Sequence, residues 1–157
     1  MNDGIERAIE ILLVEDNAGD VRLTKEALSE AKLRTSLHVT NDGVAALEFL
    51  KNEGPYGKSP QPDLVLLDLN LPKMNGFEVL AKMKQDLSLC TIPVIILTSS
   101  NAEADVQKCY ENHANAYITK PVDLQDYFGL VKRINEFWFS TVRLLSRSRQ
   151  GKPVIAQ

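Results

Sequence analysis

The sequence predicts an α/β fold: a five-stranded parallel sheet with helices on both faces, doubly wound, followed by a C-terminal helical and aromatic extension. Three observations carry this. Short apolar runs alternate with longer amphipathic segments, the pattern of a parallel sheet covered by helices. The third and fourth runs, LVLL and VIIL, are apolar throughout, as strands become when both faces are covered. Turn-forming residues such as Asn41-Asp42-Gly43 separate the segments.

In chain order, the first strand is Ile9–Val14 (IEILLV), and a helix follows over 20–31. The second strand is read at 37–40 (LHVT), with a helix over 44–51 after the Asn41-Asp42-Gly43 turn. The segment 52–62 (NEGPYGKSPQP), rich in Gly and Pro, reads as a loop. Leu64–Leu67 forms the third strand, and Gly76–Gln85 is a helix with Val79, Leu80 and Met83 at helical spacing. The fourth strand covers 94–97 and its helix 102–112, which is more polar than the others. Ala116–Thr119 (AYIT) is the fifth strand. The last helix begins near Asp123, an N-cap type, and carries Leu124, Phe128, Val131 and Trp138 at roughly helical intervals. Residues 9–138 are expected to form one domain and 139–157 an extension that begins apolar and turns basic, with Arg143, Arg147, Arg149 and Lys152 solvated.

Bulk composition narrows the function. A chain of 157 residues, 44% hydrophobic and 25% charged, suits one soluble domain with a single core. A net charge of −3 argues against a general nucleic-acid surface. The apolar stretches are too short to cross a bilayer, and MNDGIERAIE lacks the apolar run of a signal peptide. Cys90 and Cys109 have no Cys-x-x-Cys spacing and read as reduced thiols. A cytoplasmic protein is the expectation. His38 and His113 have no second ligand at metal spacing and are read as structural or exposed.

In open α/β sheets, sites form at the carboxyl ends of the strands. Strand one ends in Glu15-Asp16, strand three in Asp68, strand four in Thr98-Ser99-Ser100, and strand five in Lys120-Pro121. Carboxylates brought together repel one another unless a cation neutralises them. Magnesium suits such a site, since it takes hard oxygen ligands and is commonly shared with a phosphate. A carboxylate beside it can attack phosphorus and form an acyl phosphate. The new oxyanions then need a fixed positive charge and a hydroxyl donor, available here from Lys120 and Thr98.

These motifs, VEDN at 14–17, LLDLNLP at 66–72 with MNG at 74–76, LTSS at 97–100 and ITKP at 118–121, resemble the receiver domain of two-component response regulators. Within that family, the long 52–62 loop and the FWF tail make the chain similar to the small regulators of cyanobacterial phytochromes. The resemblance implies a flavodoxin-like receiver fold and a phosphorelay switch. It makes Asp68 the phosphoacceptor, served by a sensor histidine kinase, with a phytochrome as the candidate. Asp16 would be the direct metal ligand and Glu15 would act through water, with Asp68 and the backbone carbonyl of Asn70 completing the magnesium site. Thr98 matches the switch hydroxyl, Tyr117 the aromatic rotamer switch and Lys120 the phosphate-pairing lysine. Asn70 and Ser100 match positions that tune dephosphorylation, and the bond before Pro121 is usually cis in the family.

Other readings are weaker on the same residues. A phosphatase of the haloacid-dehalogenase type needs an aspartate two residues after the nucleophile, where this chain has Asn70. A phosphorylation-independent interaction module leaves the Glu15, Asp16, Asp68, Thr98 and Lys120 set unexplained. Nucleotide binding lacks a Gly-rich phosphate loop, and a DNA-binding regulator lacks an output domain. The expected purpose is therefore switching rather than metabolite turnover. Consecutive Phe137, Trp138 and Phe139 point in different directions around a helix, and with Val142, Leu144 and Leu145 they suggest a homodimer interface.

Overall fold

The computed structural model describes residues 8–30 and 34–145. The strands are β1 (Ile9–Val14), β2 (Thr35–Thr40), β3 (Leu64–Leu67), β4 (Val94–Thr98) and β5 (Ala116–Thr119). The helices are α1 (Ala18–Ser29), α2 (Gly43–Lys51), α3 (Gly76–Gln85), α4 (Glu103–Glu111) and α5 (Leu124–Glu136). All strand pairs are parallel, in the order β2-β1-β3-β4-β5. The chain thus reverses direction across the sheet between β1 and β3, and the carboxyl ends of those two strands flank the crevice where α/β sheets bind ligands.

Strand alternation explains the two cores. Leu12, Val14, Val65, Leu67, Val94 and Ile96 point to one face, where they meet Leu47 and Leu50 of α2, Val79, Leu80 and Met83 of α3 and Cys109 of α4. Their neighbours Ile11, Leu13, Leu64, Leu66, Ile95 and Leu97 point to the other face, against Ala27 and Leu28 of α1 and Val131 and Ile134 of α5. The inner strands β3 and β4 are buried at every residue, whereas β2 and β5 are mostly half-buried edges. Only Cys109 of α4 is fully buried, as its polar sequence led one to expect.

Asparagine and aspartate side chains start the helices. Asn17 caps α1, Asp42 caps α2, Asn75 caps α3 and Asp123 caps α5, each side chain accepting a backbone N–H of the first turn. The 52–62 segment is not featureless. It contains a 3₁₀ turn at Gly54–Tyr56, and Asn52, in the left-handed conformation, donates to the carbonyls of Tyr56 and Ser59 at 3.2 and 2.6 Å. Tyr56 packs beside Phe49, and Phe49 beside His38, at ring separations of 5.5 and 5.3 Å. His38 also pairs with Glu10 at 2.7 Å, the structural role expected of it.

The last helix gives way to a π turn at Phe137–Thr141. The aromatic triplet divides there: Trp138 and Phe139 pack against the α1/α5 core, while Phe137 remains 55% exposed. The domain therefore covers two of the three rings with its own core. Helix α1 spans Ala18–Ser29; Ala31 of the expected helix, like Arg147, Arg149, Lys152 and most of the 139–157 extension, lies outside the described residues. No helix among the described residues is long and apolar enough to cross a membrane.

Candidate functional site

The β1–α1 turn places Glu15 and Asp16 at the sheet edge. Glu15 is 1% exposed and its Oε1 accepts the Asn17 N–H at 3.1 Å, whereas Asp16 faces solvent. Beyond β3, the Asp68 N–H still donates to the Val14 carbonyl at 3.1 Å, so the sheet ladder carries Asp68 into line with Glu15. One carboxylate oxygen of Asp68, Oδ1, accepts the N–H groups of Leu69 and Asn70 at 2.7 and 3.3 Å. The other oxygen faces Lys120.

Two glycines close the backbone around this loop. A Cβ on Gly76 would lie 2.2 Å from the Asp68 carbonyl oxygen, and one on Gly43 would lie 2.0 Å from that of Met74. The MNG motif thus answers a steric need, the approach of α3 to the loop that follows Asp68.

Lys120 follows β5, its N–H bonded to the Thr98 carbonyl at 2.7 Å. Its Nζ donates to Glu15 Oε2 at 2.5 Å, Asp20 Oδ2 at 2.9 Å and Asp68 Oδ2 at 3.0 Å. The Lys120 side chain is only 9% exposed. Burial alone would lower its pKa, but the hydrogen bonds it donates to Glu15 and Asp20 and the charges of Glu15 and Asp68 outweigh it and hold the ammonium charged. Burial pushes the Glu15 carboxyl up to about 7, opposed by the Lys120 hydrogen bond and reinforced by the Asp68 charge.

Three carboxylates surround one ammonium and Asp16 stands beside two of them, an excess of negative charge that suits a cation. Glu15, Asp16 and Asp68 each offer an oxygen, and these atoms lie within 4.8 Å of one another. Hard oxygens from two chain segments, one of them solvent-facing, fit a small divalent ion that keeps some of its water.

Thr98 is fully buried at the end of β4, and its Oγ1 has no hydrogen-bond partner among the described residues. Ser100 is engaged: its hydroxyl donates to Asp105 Oδ2 at 2.5 Å and accepts the Ala102 N–H at 3.3 Å. The Tyr117 hydroxyl donates to the Ser100 carbonyl at 2.8 Å, tying β5 to the β4–α4 turn. Asn70, two residues after Asp68, is exposed.

The structure therefore brings Glu15, Asp16, Asp68 and Lys120 together, with Thr98 on the adjoining strand end and Tyr117 joined to Ser100. Phe137, Trp138 and Phe139 belong to the end of α5 instead. One expectation is overturned: no described peptide bond is cis, so Lys120–Pro121 is trans. Trans is the lower-energy isomer of an X–Pro bond by a small margin, and the sequence alone does not decide between them. One residue was missed. Asp20 stands three positions after the Asn17 cap, where a first-turn acid is favoured by the helix dipole, and that spacing was the available signal.

The model of the response regulator receiver domain family matches residues 11–132. Response regulator Rcp1 of a Synechocystis species is 49% identical over 134 residues, covering 85% of this chain and 91% of that protein. The solved structure of the manganese-bound form of Rcp1 aligns with a TM-score of 0.86 at 48% identity, covering 88% of this chain and 99% of that one. That of the phosphorylated cyanobacterial phytochrome response regulator RcpA aligns with a TM-score of 0.87 at 46% identity, covering 89% and 100%.

Proposed function

The chain belongs to the response regulator receiver family, and on that premise we propose that Asp68 is where it accepts a phosphoryl group from a sensor histidine kinase. It is a receiver-domain regulator of two-component signalling, related to the cyanobacterial phytochrome regulators. The observation that carries the reading is the Asp68 carboxylate itself. One oxygen is fixed by two backbone N–H groups, and the other faces a buried ammonium beside Glu15 and Asp16.

In the transfer, Asp68 Oδ2 attacks phosphorus, and the new O–P bond forms as the P–N bond of the kinase phosphohistidine breaks. The electron pair leaves on the imidazole, which takes its proton from water. Lys120 stabilises the charge on the phosphoryl oxygens. Glu15, Asp16, Asp68 and the Asn70 carbonyl would hold magnesium, which when bound neutralises the carboxylates and the incoming phosphate. The related Rcp1 was solved with manganese, which supports a divalent site.

Thr98, unpartnered at rest, would turn its hydroxyl to the phosphoryl group, and Tyr117 would move with it, changing the face a partner sees. Asn70 and Ser100 would set how quickly the acyl phosphate hydrolyses. The domain, taken as 9–138, thus catalyses only its own phosphorylation and dephosphorylation. Similarity to the phytochrome regulators supports a phytochrome as the kinase and the cytoplasm as the location, with no direct contact to nucleic acid or membrane. The exposed Phe137 ring supports a homodimer through the end of α5.

Incubation with acetyl phosphate, followed by intact mass, tests the assignment. One phosphoryl group should add in magnesium and none after chelation or in Asp68→Asn. Wild-type labelling of Asp68→Asn would refute it.

A further inference from the structure

An ammonium has three N–H donors. In Lys120 all three are engaged before any phosphoryl group arrives, on Glu15, Asp20 and Asp68. Asp20 is the outsider among these partners. It belongs to the first turn of α1 and stands apart from the Glu15, Asp16 and Asp68 cluster that fits a metal. Its backbone is held from both sides. The Asp20 N–H donates to Asn17 Oδ1 at 3.0 Å, and its carbonyl accepts the Thr24 hydroxyl at 2.8 Å. Thr24 in turn shares a hydrogen bond of 3.1 Å with the buried Tyr127 hydroxyl of α5. The carboxylate is thus delivered to Lys120 by a braced helix end.

We propose that Asp20 is a positioning residue that holds Lys120 in the unphosphorylated site and competes with the phosphoryl group for it, so setting how readily Asp68 is phosphorylated. The inference rests on Asp68 being the acceptor. Once Oδ2 becomes the bridging oxygen of an acyl phosphate, it is a poor acceptor, and its Lys120 donor passes to a phosphoryl oxygen. That oxyanion joins Glu15 and Asp20 around one nitrogen, and like charges so placed repel. Of the two protein carboxylates, the Glu15 side chain is 2% exposed and that of Asp20 is 23% exposed. Water is therefore able to replace Lys120 at Asp20 and not at Glu15, so Asp20 is the partner that yields. A neutral side chain there removes the competitor.

The test uses beryllofluoride, a stand-in for the phosphoryl group, titrated at saturating magnesium and followed by NMR chemical shift. Asp20→Asn should bind it about tenfold more tightly than wild type, equivalent to ~1.4 kcal/mol. Asp20→Glu, which keeps the charge, should remain near wild type. The gain should persist in about 1 M sodium chloride, where the Debye length falls to ~3 Å and only direct contacts survive. Unchanged or weaker binding by Asp20→Asn, an equal gain in Asp20→Glu, or a gain abolished by salt would each overturn the inference. A wild-type protein that bound beryllofluoride no better than Asp68→Asn would instead defeat the acceptor assignment, and the inference with it.

Discussion

Replacing Gly76 by alanine tests whether backbone contact fixes the acceptor loop. The new Cβ would stand 2.2 Å from the Asp68 carbonyl oxygen and 2.7 Å from Leu69 Cα. Both are backbone atoms, so no side-chain rotation relieves the contact. The loop and α3 must part by at least about 1.2 Å, from 2.2 to 3.4 Å, before the approach becomes an ordinary van der Waals one. That movement also stretches the Gly76 N–H to Leu69 carbonyl bond, now 2.9 Å. Two effects oppose each other in stability. Alanine is favoured over glycine within a helix by up to about 1 kcal/mol, and by less at a first residue. Overpacking a rigid site costs about 1–3 kcal/mol. The clash wins, and a net loss of ~1–2 kcal/mol is expected in urea unfolding. Function should suffer more, because displacing a reacting group by ~1 Å costs as much as 10²-fold in rate. Phosphorylation by acetyl phosphate should therefore slow by at least about tenfold in protein that remains folded. Gly57→Ala is the control: its Cβ would meet nothing within 4 Å and its φ is −57°, so it should be neutral or slightly stabilising. If Gly76→Ala matched Gly57→Ala in both stability and rate, the steric account would be wrong.

Thr98→Val should keep or raise resting stability, by up to about 1–3 kcal/mol, because the hydroxyl it removes is buried with no hydrogen-bond partner among the described residues. The same variant should lose the beryllofluoride-induced NMR shifts at Tyr117, and their retention would remove Thr98 from the switch. Tyr127 is held neutral up to about 12, chiefly by burial, with the Thr24 hydrogen bond opposing. An unfolded tyrosine ionises near pH 10, so the contribution is whole below that pH and lost as the pH rises toward 12, by up to ~2–3 kcal/mol. Urea midpoints from pH 9 to 12 should fall less steeply in Tyr127→Phe, and equal slopes would contradict the assignment. For the homodimer, sedimentation equilibrium at tens of micromolar should show self-association of the full chain. Phe137→Ser and a truncation ending at Asn135 should weaken it, and a monomeric full chain would defeat the interface.

Strands were legible because each is a short apolar run between turn residues. Ile9–Val14, Leu64–Leu67 and Ala116–Thr119 match the structure at both ends. The second strand begins two residues earlier than its apolar run, at Thr35, because parallel pairing to Ile9 and Glu10 recruits polar Thr35 and Ser36 on an edge. The carboxyl-end rule gathered Glu15, Asp16, Asp68, Thr98 and Lys120 from separate strands. Asp20 escaped it because a helix, not a strand, delivers that carboxylate. The Ser100–Asp105 bond escaped for a similar reason, since only the path of the β4–α4 turn brings the two together. The fate of the aromatic triplet depended on where α5 changes pitch, and periodicity extended it as a uniform helix through Trp138. The π turn instead leaves Phe137 out while Trp138 and Phe139 reach the core.

The resting site combines an excess and a deficit. Lys120 has every donor engaged by carboxylates, while the Thr98 hydroxyl, buried on the adjoining strand end, has no partner among the described residues. A buried hydroxyl left unbonded costs about 1–3 kcal/mol, and crowded carboxylates repel. On the proposed reading, a phosphoryl group on Asp68 would relieve the deficit by supplying acceptor oxygens for Thr98. It would also draw off the one Lys120 donor that the Asp68 carboxylate holds, the other two being on Glu15 and Asp20. The surroundings are well placed to bear the resting cost, because β3 and β4 are buried along their whole length and a fully packed sheet holds both strand ends in register. The β4–α4 turn is joined to β5 by the bond from the Tyr117 hydroxyl to the Ser100 carbonyl. On the proposed reading, movement of Thr98 toward a phosphoryl group would displace the chain two residues before that carbonyl. A change in charge at Asp68 would thereby pass to Tyr117 on the sheet edge, where a partner protein would read it.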